Sequence, residues 1–285
     1  MRSDGVAKAF RFNRMLADAW LRNLITRGRY NNLSAEQAAR ARTSDTVFVF
    51  GSGYSLNSIS VAEWAHIRQH DVFGFNAFYY QHWAPVNFHL LRGGLYGELR
   101  WRRYAEEVVE AIRSNPLYAD TVFVMQEEFQ ASFTNQLIGY GLFPPAKGIV
   151  RYATARGAGR KPTRSISEGL RHLAGTLSDA VNCAFCLGWR HIVLVGVDLY
   201  DSRYFWLPDD QTASVDRENA TVVGSPVNAL GGNRYDEKHY TTRNGVVELM
   251  SEWREMFESE GIRMSVYNPA SLLAAVLPVY PRLNA

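Results

Sequence analysis

The sequence has little cysteine, little net charge and no long apolar run. Its two cysteines, Cys183 and Cys186, lie in a segment predicted to be helical. They do not follow a strand-to-helix turn, so we interpret both as small core residues rather than a redox pair. The net charge of +3 is too small to favour nucleic acid as the main ligand, and no nucleic-acid partner is predicted.

No apolar run approaches the length that spans a bilayer, and no signal peptide is visible. Together with the scarcity of cysteine, this predicts a reduced, cytoplasmic protein. What is present is an ordinary globular balance, with 47% hydrophobic and 21% charged residues. A length of 285 residues allows one large domain or a domain with a sizeable insertion.

The stretch TVFVFGSGYSL, residues 46–56, combines a strand with a glycine-rich turn. The five residues from Thr46 lack polar alternation, which predicts a strand buried on both faces. Gly51 and Gly53 follow, and Ser55 precedes a periodic segment that predicts a helix. A strand, such a turn and a helix N-terminus together favour an anion such as phosphate. However, Leu56 replaces the third glycine of the dinucleotide fingerprint, so a tight connection without a ligand stays an alternative.

Candidate strands and helices alternate along the rest of the chain. Further strands are predicted at 72–75, 87–91, 121–125, 191–195 and 264–267, and helices at 101–112, 178–187 and 248–257. This alternation predicts an α/β fold with a mainly parallel, Rossmann-like sheet flanked by helices. Ligands of such sheets bind beyond the carboxyl ends of the strands, which directs attention to 51–55, Asn76 and 196–200.

We divide the chain into an N-terminal helical extension, 1–45, and a catalytic domain, 46–285. The extension contains a basic amphipathic helix, which would lie on a membrane surface or pack on the domain or a second subunit. Ser34 and Gln37 form a capping-box pattern that predicts a second short helix. Residues 201–240 are polar and lack periodicity, which predicts a lid inserted directly after a strand.

Five motifs occur in an order that resembles the bacterial sialyltransferases of glycosyltransferase family 42. They are GSGYSL at 51–56, DVFGFNAFY at 71–79, SDAVNCAFCLGWRHIVLVGVDLY at 178–200, YDEKHY at 235–240 and VYNPASLL at 266–273. The resemblance covers roughly 46–275. It implies a variant of the GT-A fold, in a superfamily that also contains archaeal hydroxymethylpterin pyrophosphokinases, which share the early turn.

The resemblance implies a CMP-sugar donor, with sialic acid, a related nonulosonic acid or Kdo as the sugar. It also implies an inverting transfer that needs no metal or other cofactor, to a glycan or glycolipid acceptor of the lipopolysaccharide or capsule type. The enzyme would be a homo-oligomer, and we expect it to be either free in the cytoplasm or peripheral to the inner membrane. The implied nucleotide-binding residues are Gly51, Ser52, Gly53, Ser55, Asn76, Ser178, Gly196, Asp198 and Tyr235.

The same resemblance implies that His239 is the general base and that Tyr200 and Tyr204 stabilise the departing phosphate. A competing alignment places Arg243 at the base position, and arginine cannot accept a proton at neutral pH. Two residues depart from the family pattern: Ser52 stands where asparagine is usual, and Tyr54 where proline is usual. Both departures bear on which nucleotide or sugar is accepted.

Each implied role has an alternative that involves no ligand. Asp198 would cap a loop, Asn76 would form an Asx turn, and Tyr200 and Tyr204 would pack at a strand end. Two alternative functions also stay open: an ATP- and Mg²⁺-dependent diphosphotransferase acting on a pterin, and a non-catalytic nucleotide- or glycan-binding relative. No metal site is predicted, since the two adjacent aspartates at 209–210 are interpreted as a solvated turn.

Overall fold

The computed structural model describes residues 2–93, 98–144, 146–201, 203–208, 211–215, 222–226 and 240–282. Helices and strands alternate along most of this length. In chain order the elements are α1 (Arg2–Thr26), β1 (Asn32–Leu33), α2 (Ala35–Arg40), β2 (Thr46–Phe50), α3 (Val61–Ile67), β3 (Asp71–Phe75), β4 (Phe88–Leu91), α4 (Glu98–Ser114), β5 (Val122–Gln126), α5 (Ser132–Gly139), β6 (Gly148–Tyr152), α6 (Thr176–Leu187), β7 (His191–Val195), β8 (Gln211–Val215), β9 (Val222–Pro226), α7 (Val246–Ser259) and β10 (Arg263–Val266).

Eight strands form one sheet in the order β1-β6-β5-β4-β3-β2-β7-β10. Every neighbouring pair in it is parallel. Parallel strands need crossover connections that place helices on the sheet faces, so both faces are covered. The prediction of an α/β fold with a Rossmann-like sheet is confirmed. The described part of the predicted lid also contains a separate antiparallel hairpin of β8 and β9.

The strand order reverses direction between β2 and β7. From β2 the chain builds β3, β4, β5 and β6 outward on one side, then returns to add β7 and β10 on the other. The β2–β7 pair is therefore the topological switch point of the sheet. Ligands of open α/β sheets bind at such a topological switch point.

The residues of β2 show why this strand is central to the core. Val47 and Val49 pack on one side of the sheet, in the cluster that includes buried residues of α6 and α7. Phe48 and Phe50 pack on the other side, with buried residues of α3, α4 and α5. All four side chains are completely buried, because the period of two in a strand sends alternate residues to opposite faces.

Helix α1 packs on α5. Leu16 and Ala19 are buried, and the buried Asn23 side chain donates a hydrogen bond of 2.9 Å to Oδ1 of Asn135. On the same helix the side chains of Phe10 and Ile25 are exposed. Packing on the domain therefore accounts for one face of α1, while membrane contact through the exposed residues stays a prediction. No helix of the described ranges is long and apolar enough to cross a membrane.

Two features before residue 45 belong to the main sheet and its helices. The short strand β1 pairs with β6 and forms one edge of the sheet. The predicted capping box is confirmed: Ser34 Oγ accepts a hydrogen bond of 3.2 Å from the Gln37 N–H, and Gln37 Oε1 accepts one of 2.8 Å from the Ser34 N–H. The division of the chain at residue 45 stays a prediction.

The predicted helix directly after the glycine turn is wrong in position. Residues Tyr54–Ser58 form a single 3₁₀ segment, and α3 begins only at Val61. The reason is a second capping box, in which Ser60 and Glu63 exchange hydrogen bonds at the true helix start. The helix dipole of α3 therefore does not act at the glycine turn and does not favour an anion there.

The close contact between the turns after β2 and β7 generates a testable prediction. A Cβ atom added to Gly51 would lie 2.5 Å from the Gly196 carbonyl oxygen, which is backbone and cannot rotate away. We expect Gly51→Ala to lower the free energy of unfolding by about 1–3 kcal/mol, the usual cost of overpacking. The control is Gly28→Ala, because a Cβ there meets nothing within 4 Å. Equal urea unfolding midpoints for the two variants would contradict the packing described.

Candidate functional site

The glycine turn after β2 lies directly against the turn after β7. The Gly51 N–H donates to the Val195 carbonyl and the Gly53 N–H to the Gly196 carbonyl, both at 2.8 Å. A Cβ on Gly53 would also clash with the Asp198 carboxylate. The two glycines are thus required by the neighbouring backbone. The two N–H groups that the sequence analysis assigned to a phosphate already donate hydrogen bonds to backbone carbonyls of the protein.

Asp198 joins three segments at this point. Its buried carboxylate accepts hydrogen bonds from the Ser55 N–H at 2.9 Å and from the Ser55 hydroxyl at 2.5 Å. It also accepts one of 2.9 Å from the side-chain amide of Asn268, which follows β10. The carboxylate therefore performs the loop-capping role that the sequence left open as an alternative. Its contact with a nucleotide stays a prediction.

Asn268 is a site residue that the sequence reasoning missed. It lies two residues after the end of β10, and its amide donates to both Asp198 and the Tyr200 hydroxyl, the latter at 3.3 Å. Asn268 belongs to the VYNPASLL motif and directly follows the strand predicted at 264–267. The rule that polar residues after parallel strands line the ligand site would therefore have identified it.

The two predicted tyrosines both lie near the glycine turn. Burial raises the pKa of Tyr200, and the carboxylates of Asp198 and Asp201 raise it further, while the hydrogen bond from Asn268 lowers it. The Tyr200 phenol is therefore protonated at neutral pH and able to donate. Tyr204 forms an isolated antiparallel bridge with Gly53, so its backbone lies against the turn itself.

Ser52 lies between the two glycines and has an unusual environment. The residue is 7% exposed, and among the residues that the structure describes its hydroxyl has no hydrogen-bond partner. The Ser52 carbonyl, by contrast, accepts a bond of 3.2 Å from the Phe205 N–H. Buried polar groups are nearly always paired, and an unpaired one at a strand end at the switch point is a natural contact for a ligand.

Two non-glycine residues that follow the strands on either side of β2 have left-handed backbone conformations. Asn76, directly after β3, has φ of 52°, and Leu199, after β7, has φ of 64°. Such conformations are unfavourable for residues with a Cβ and cluster at functional sites. Both lie at the carboxyl edge of the sheet, one on each side of β2.

His89 contacts the backbone carbonyl of Asn76, a role that the sequence did not indicate. The imidazole is completely buried, with Nε2 at 3.2 Å from the Asn76 carbonyl oxygen and Nδ1 at 3.1 Å from the Tyr118 hydroxyl. Burial lowers the pKa of His89 to about 3, so the ring is neutral. Since a carbonyl only accepts, Nε2 carries the proton and Nδ1 accepts from Tyr118.

A second group of charged residues lies at the same edge of the sheet. Asp179, in the first turn of α6, is completely buried and contacts both His172 and Arg92. Its neighbour Ser178 is also buried: the Ser178 hydroxyl donates to the Gly175 carbonyl and accepts from the Leu173 N–H. That hydroxyl is therefore committed to the loop before the helix, and its predicted nucleotide contact has no support from this geometry.

The structure thus brings most of the predicted site residues together at the switch point. The connected residues are Gly51, Ser52, Gly53, Ser55, Gly196, Asp198, Tyr200 and Tyr204, with Asn76 after the adjacent strand. Tyr235 and His239 lie outside the described residues, as does much of the predicted lid. Among the described residues no cluster of three or more His, Cys, Asp or Glu side chains is arranged to hold a metal ion.

These features define an α/β protein with a candidate ligand site at the switch point of a parallel sheet. No protein-family model and no curated protein matches the chain. Among solved structures it is similar to the MAf glycosyltransferase from Magnetospirillum magneticum AMB-1, with 16% identity and a TM-score of 0.49 over 89% of this chain. The chain spans 36% of that structure. At this level the likeness carries no argument about substrate or reaction.

The Asp198 network predicts a specific loss of stability. In Asp198→Asn an amide nitrogen replaces one acceptor oxygen, which leaves a partly buried donor of Ser55 or Asn268 unpaired. We expect the free energy of unfolding to fall by about 1–3 kcal/mol, measured by urea denaturation. Asp120→Asn is the control, because Asp120 is exposed and a surface change of this kind shifts stability by less than about 0.5 kcal/mol. Equal losses in both variants would argue against the network.

The buried histidines predict a pH dependence. Burial lowers the pKa of His89 to about 3 and that of His191 to about 4, both below the value of about 6.5 expected in the unfolded chain. The unfolded state therefore binds protons first as the pH falls. The contribution of the two neutral histidines to the free energy of unfolding is complete above pH 6.5. Below that pH it decreases by about 1.4 kcal/mol per pH unit for each histidine.

We expect urea midpoints to fall as the pH is lowered from 7 to 5, and His191→Gln to show a shallower fall than the wild type. The carboxylate of Glu63 does not account for a fall in this range. Although burial raises its pKa, hydrogen bonds from Arg282, Ser60 and Tyr267 lower the pKa to about 2, so its own contribution is lost only at lower pH. A flat profile between pH 7 and 5 would contradict the neutral, buried state of the two histidines.

Proposed function

We propose that this protein is a glycosyltransferase that uses a CMP-activated sugar of the sialic acid or Kdo type. It transfers the sugar with inversion to a hydroxyl of a glycan or glycolipid, and needs no metal. The proposal is supported by five motifs in the order of the family 42 sialyltransferases, and by the meeting of three of them at one edge of the sheet.

The observation that carries the proposal is the Ser52 hydroxyl, which has no hydrogen-bond partner in the described part of the chain. It is buried at the switch point, between two glycines whose own N–H groups are satisfied by the neighbouring strand. A hydroxyl in this position costs free energy unless a ligand supplies its partner. A nucleotide phosphate or ribose bound beyond the carboxyl ends of β2 and β7 supplies such a partner.

The chemistry of the donor fits the groups around Ser52. The departing CMP is a phosphate monoester anion, which needs hydrogen-bond donors and no added proton. Tyr200 keeps its phenolic proton at neutral pH because of burial and nearby carboxylates. In this proposal Tyr200 and Tyr204 donate to the departing phosphate, where other enzymes use a metal ion. Asn76, held in its left-handed conformation, contacts the cytidine phosphate or ribose.

The first test is thermal stabilisation by CMP, CDP, UDP and ATP, each with and without Mg²⁺. We expect CMP and CDP to stabilise the protein without metal, because the site supplies its own donors. A ligand at a hundred times its dissociation constant adds about 2.7 kcal/mol of stability. Stabilisation by ATP only with Mg²⁺ would instead favour the diphosphotransferase, and no response to any nucleotide would overturn the proposal.

The variant Ser52→Ala gives a sharper test with two opposite effects. Without ligand it should melt at the same temperature as the wild type or higher, because it removes a buried hydroxyl that has no partner. With CMP its stabilisation should be smaller, because the contact to the nucleotide is lost. Ser114→Ala, on the exposed end of α4, should leave both values unchanged. A Ser52→Ala protein that responds to CMP like the wild type would contradict the role of Ser52.

A further inference from the structure

His172 and Asp179 form a pair that the sequence reasoning did not identify. His172 lies in the loop between β6 and α6, and its Nδ1 is 2.6 Å from Asp179 Oδ2. The Asp179 carboxylate is completely buried, whereas 34% of the His172 side chain is exposed. One ring nitrogen is therefore fixed inside the protein while the side chain as a whole reaches solvent.

The orientation of Asp179 is fixed from its other oxygen. Arg92 Nη1 donates to Oδ1 at 2.9 Å, and the Tyr152 hydroxyl donates to the same oxygen at 3.3 Å. Arg92 also donates to the Thr154 hydroxyl, which in turn donates to Glu128. The negative charge of Asp179 is thus compensated by a guanidinium, and Oδ2 is left for His172.

This arrangement sets the tautomer of the imidazole. An ionised carboxylate only accepts, so Nδ1 of His172 carries the proton and Nε2 carries a lone pair. In the described part of the chain Nε2 has no hydrogen-bond partner. A partly exposed histidine that is oriented by a buried carboxylate, and whose second nitrogen has no partner in the described part of the chain, is a usual arrangement of a general base.

The pair lies at the same edge of the sheet as the switch point. Arg92 and Thr154 follow the ends of β4 and β6. Helix α6 packs on β2 and β3, so its first turn, with Asp179, lies over the carboxyl ends of these strands. A Cβ atom on Gly175, just before α6, would be 3.2 Å from the Thr241 methyl group, so the chain that follows the predicted lid also returns to this point.

The other described histidines do not fit a role as base. His191 begins β7, His66 lies in the last turn of α3, and His70 directly precedes β3, so all three lie at the opposite edge of the sheet. Both nitrogens of the buried His89 are occupied. His82 is exposed, and its ring contacts that of Trp83 at a tilted angle of 41°. Within the described residues His172 is the histidine that an aspartate or glutamate orients.

We propose that His172, oriented by Asp179, is the general base of the transfer reaction, in place of His239. This inference rests on the proposed function. His172 Nε2 takes the proton of the acceptor hydroxyl as its oxygen forms a bond to the anomeric carbon. The bond from that carbon to the phosphate oxygen breaks, CMP leaves with the electron pair, and the imidazolium returns its proton to solvent.

The test compares His172→Asn with His239→Asn and with His82→Gln as the control. Asparagine keeps an N–H close to the position of Nδ1, so the bond to Asp179 is retained while the base is removed. Hydrolysis of CMP-N-acetylneuraminate and CMP-Kdo is measured, since water replaces the acceptor in the same step, together with thermal stabilisation by CMP. We expect His172→Asn to lose about 100-fold or more in rate, as for removal of a general base.

The stabilisation by CMP should be unchanged in His172→Asn, which separates loss of the base from loss of folding or binding. His82→Gln should match the wild type in both measurements. An equal or larger loss in His239→Asn than in His172→Asn would overturn the inference while the proposed function stands. If the wild type neither binds CMP nor hydrolyses either CMP-sugar, the proposed function fails, and the assignment of His172 as base falls with it.

Discussion

The candidate site depends on one backbone contact, between the turns that leave β2 and β7. At the switch point the segments that follow β2 and β7 must separate, yet Gly51 and Gly53 donate hydrogen bonds to the carbonyls of Val195 and Gly196. Only residues without a Cβ permit this approach. The contact places Asp198 where its carboxylate reaches Ser55 and Asn268, so three chain segments are fixed relative to one another.

Around this contact the polar groups divide into two kinds. Some hold the carboxyl edge of the sheet together and are hydrogen-bonded to other groups of the protein. Examples are the Asp198 carboxylate and the Ser178 hydroxyl. The others are held in place and have no hydrogen-bond partner among the described residues. They include the Ser52 hydroxyl and Nε2 of His172. A rigid frame that presents a few unsatisfied groups is the arrangement expected of a binding site.

The sequence predicted the elements whose signals are local. The run from Thr46 to Phe50 is apolar because both sheet faces are covered, and this is visible without the fold. The helix placed after Ser55 was wrong because the capping box at Ser60 was not weighed against the apolar periodicity. Strand β6, GIVRY, was missed because Arg151 interrupts its short apolar run, and β1 has only two residues.

The site was predictable only in part. The sequence identifies which residues lie at strand ends, but it does not show which residues from other strand ends they contact. The glycine turn was correctly placed, but the need for glycine comes from Gly196, which lies 145 residues beyond Gly51. The pairing of His172 with Asp179 is fixed by Arg92 and Tyr152, which come from two other strand ends. No spacing within one motif reveals a network assembled from four segments.

The central position of β2 has a consequence for the order of folding. Strands β2 to β6 are contiguous in the chain and pair as the polypeptide lengthens, but β2 receives its second neighbour only when β7 is available. Pairing across such a separation carries a large loop-closure entropy and is slow relative to local contacts. We therefore expect the candidate site to be among the last features to form, and no fragment ending before β7 contains the contact on which it depends.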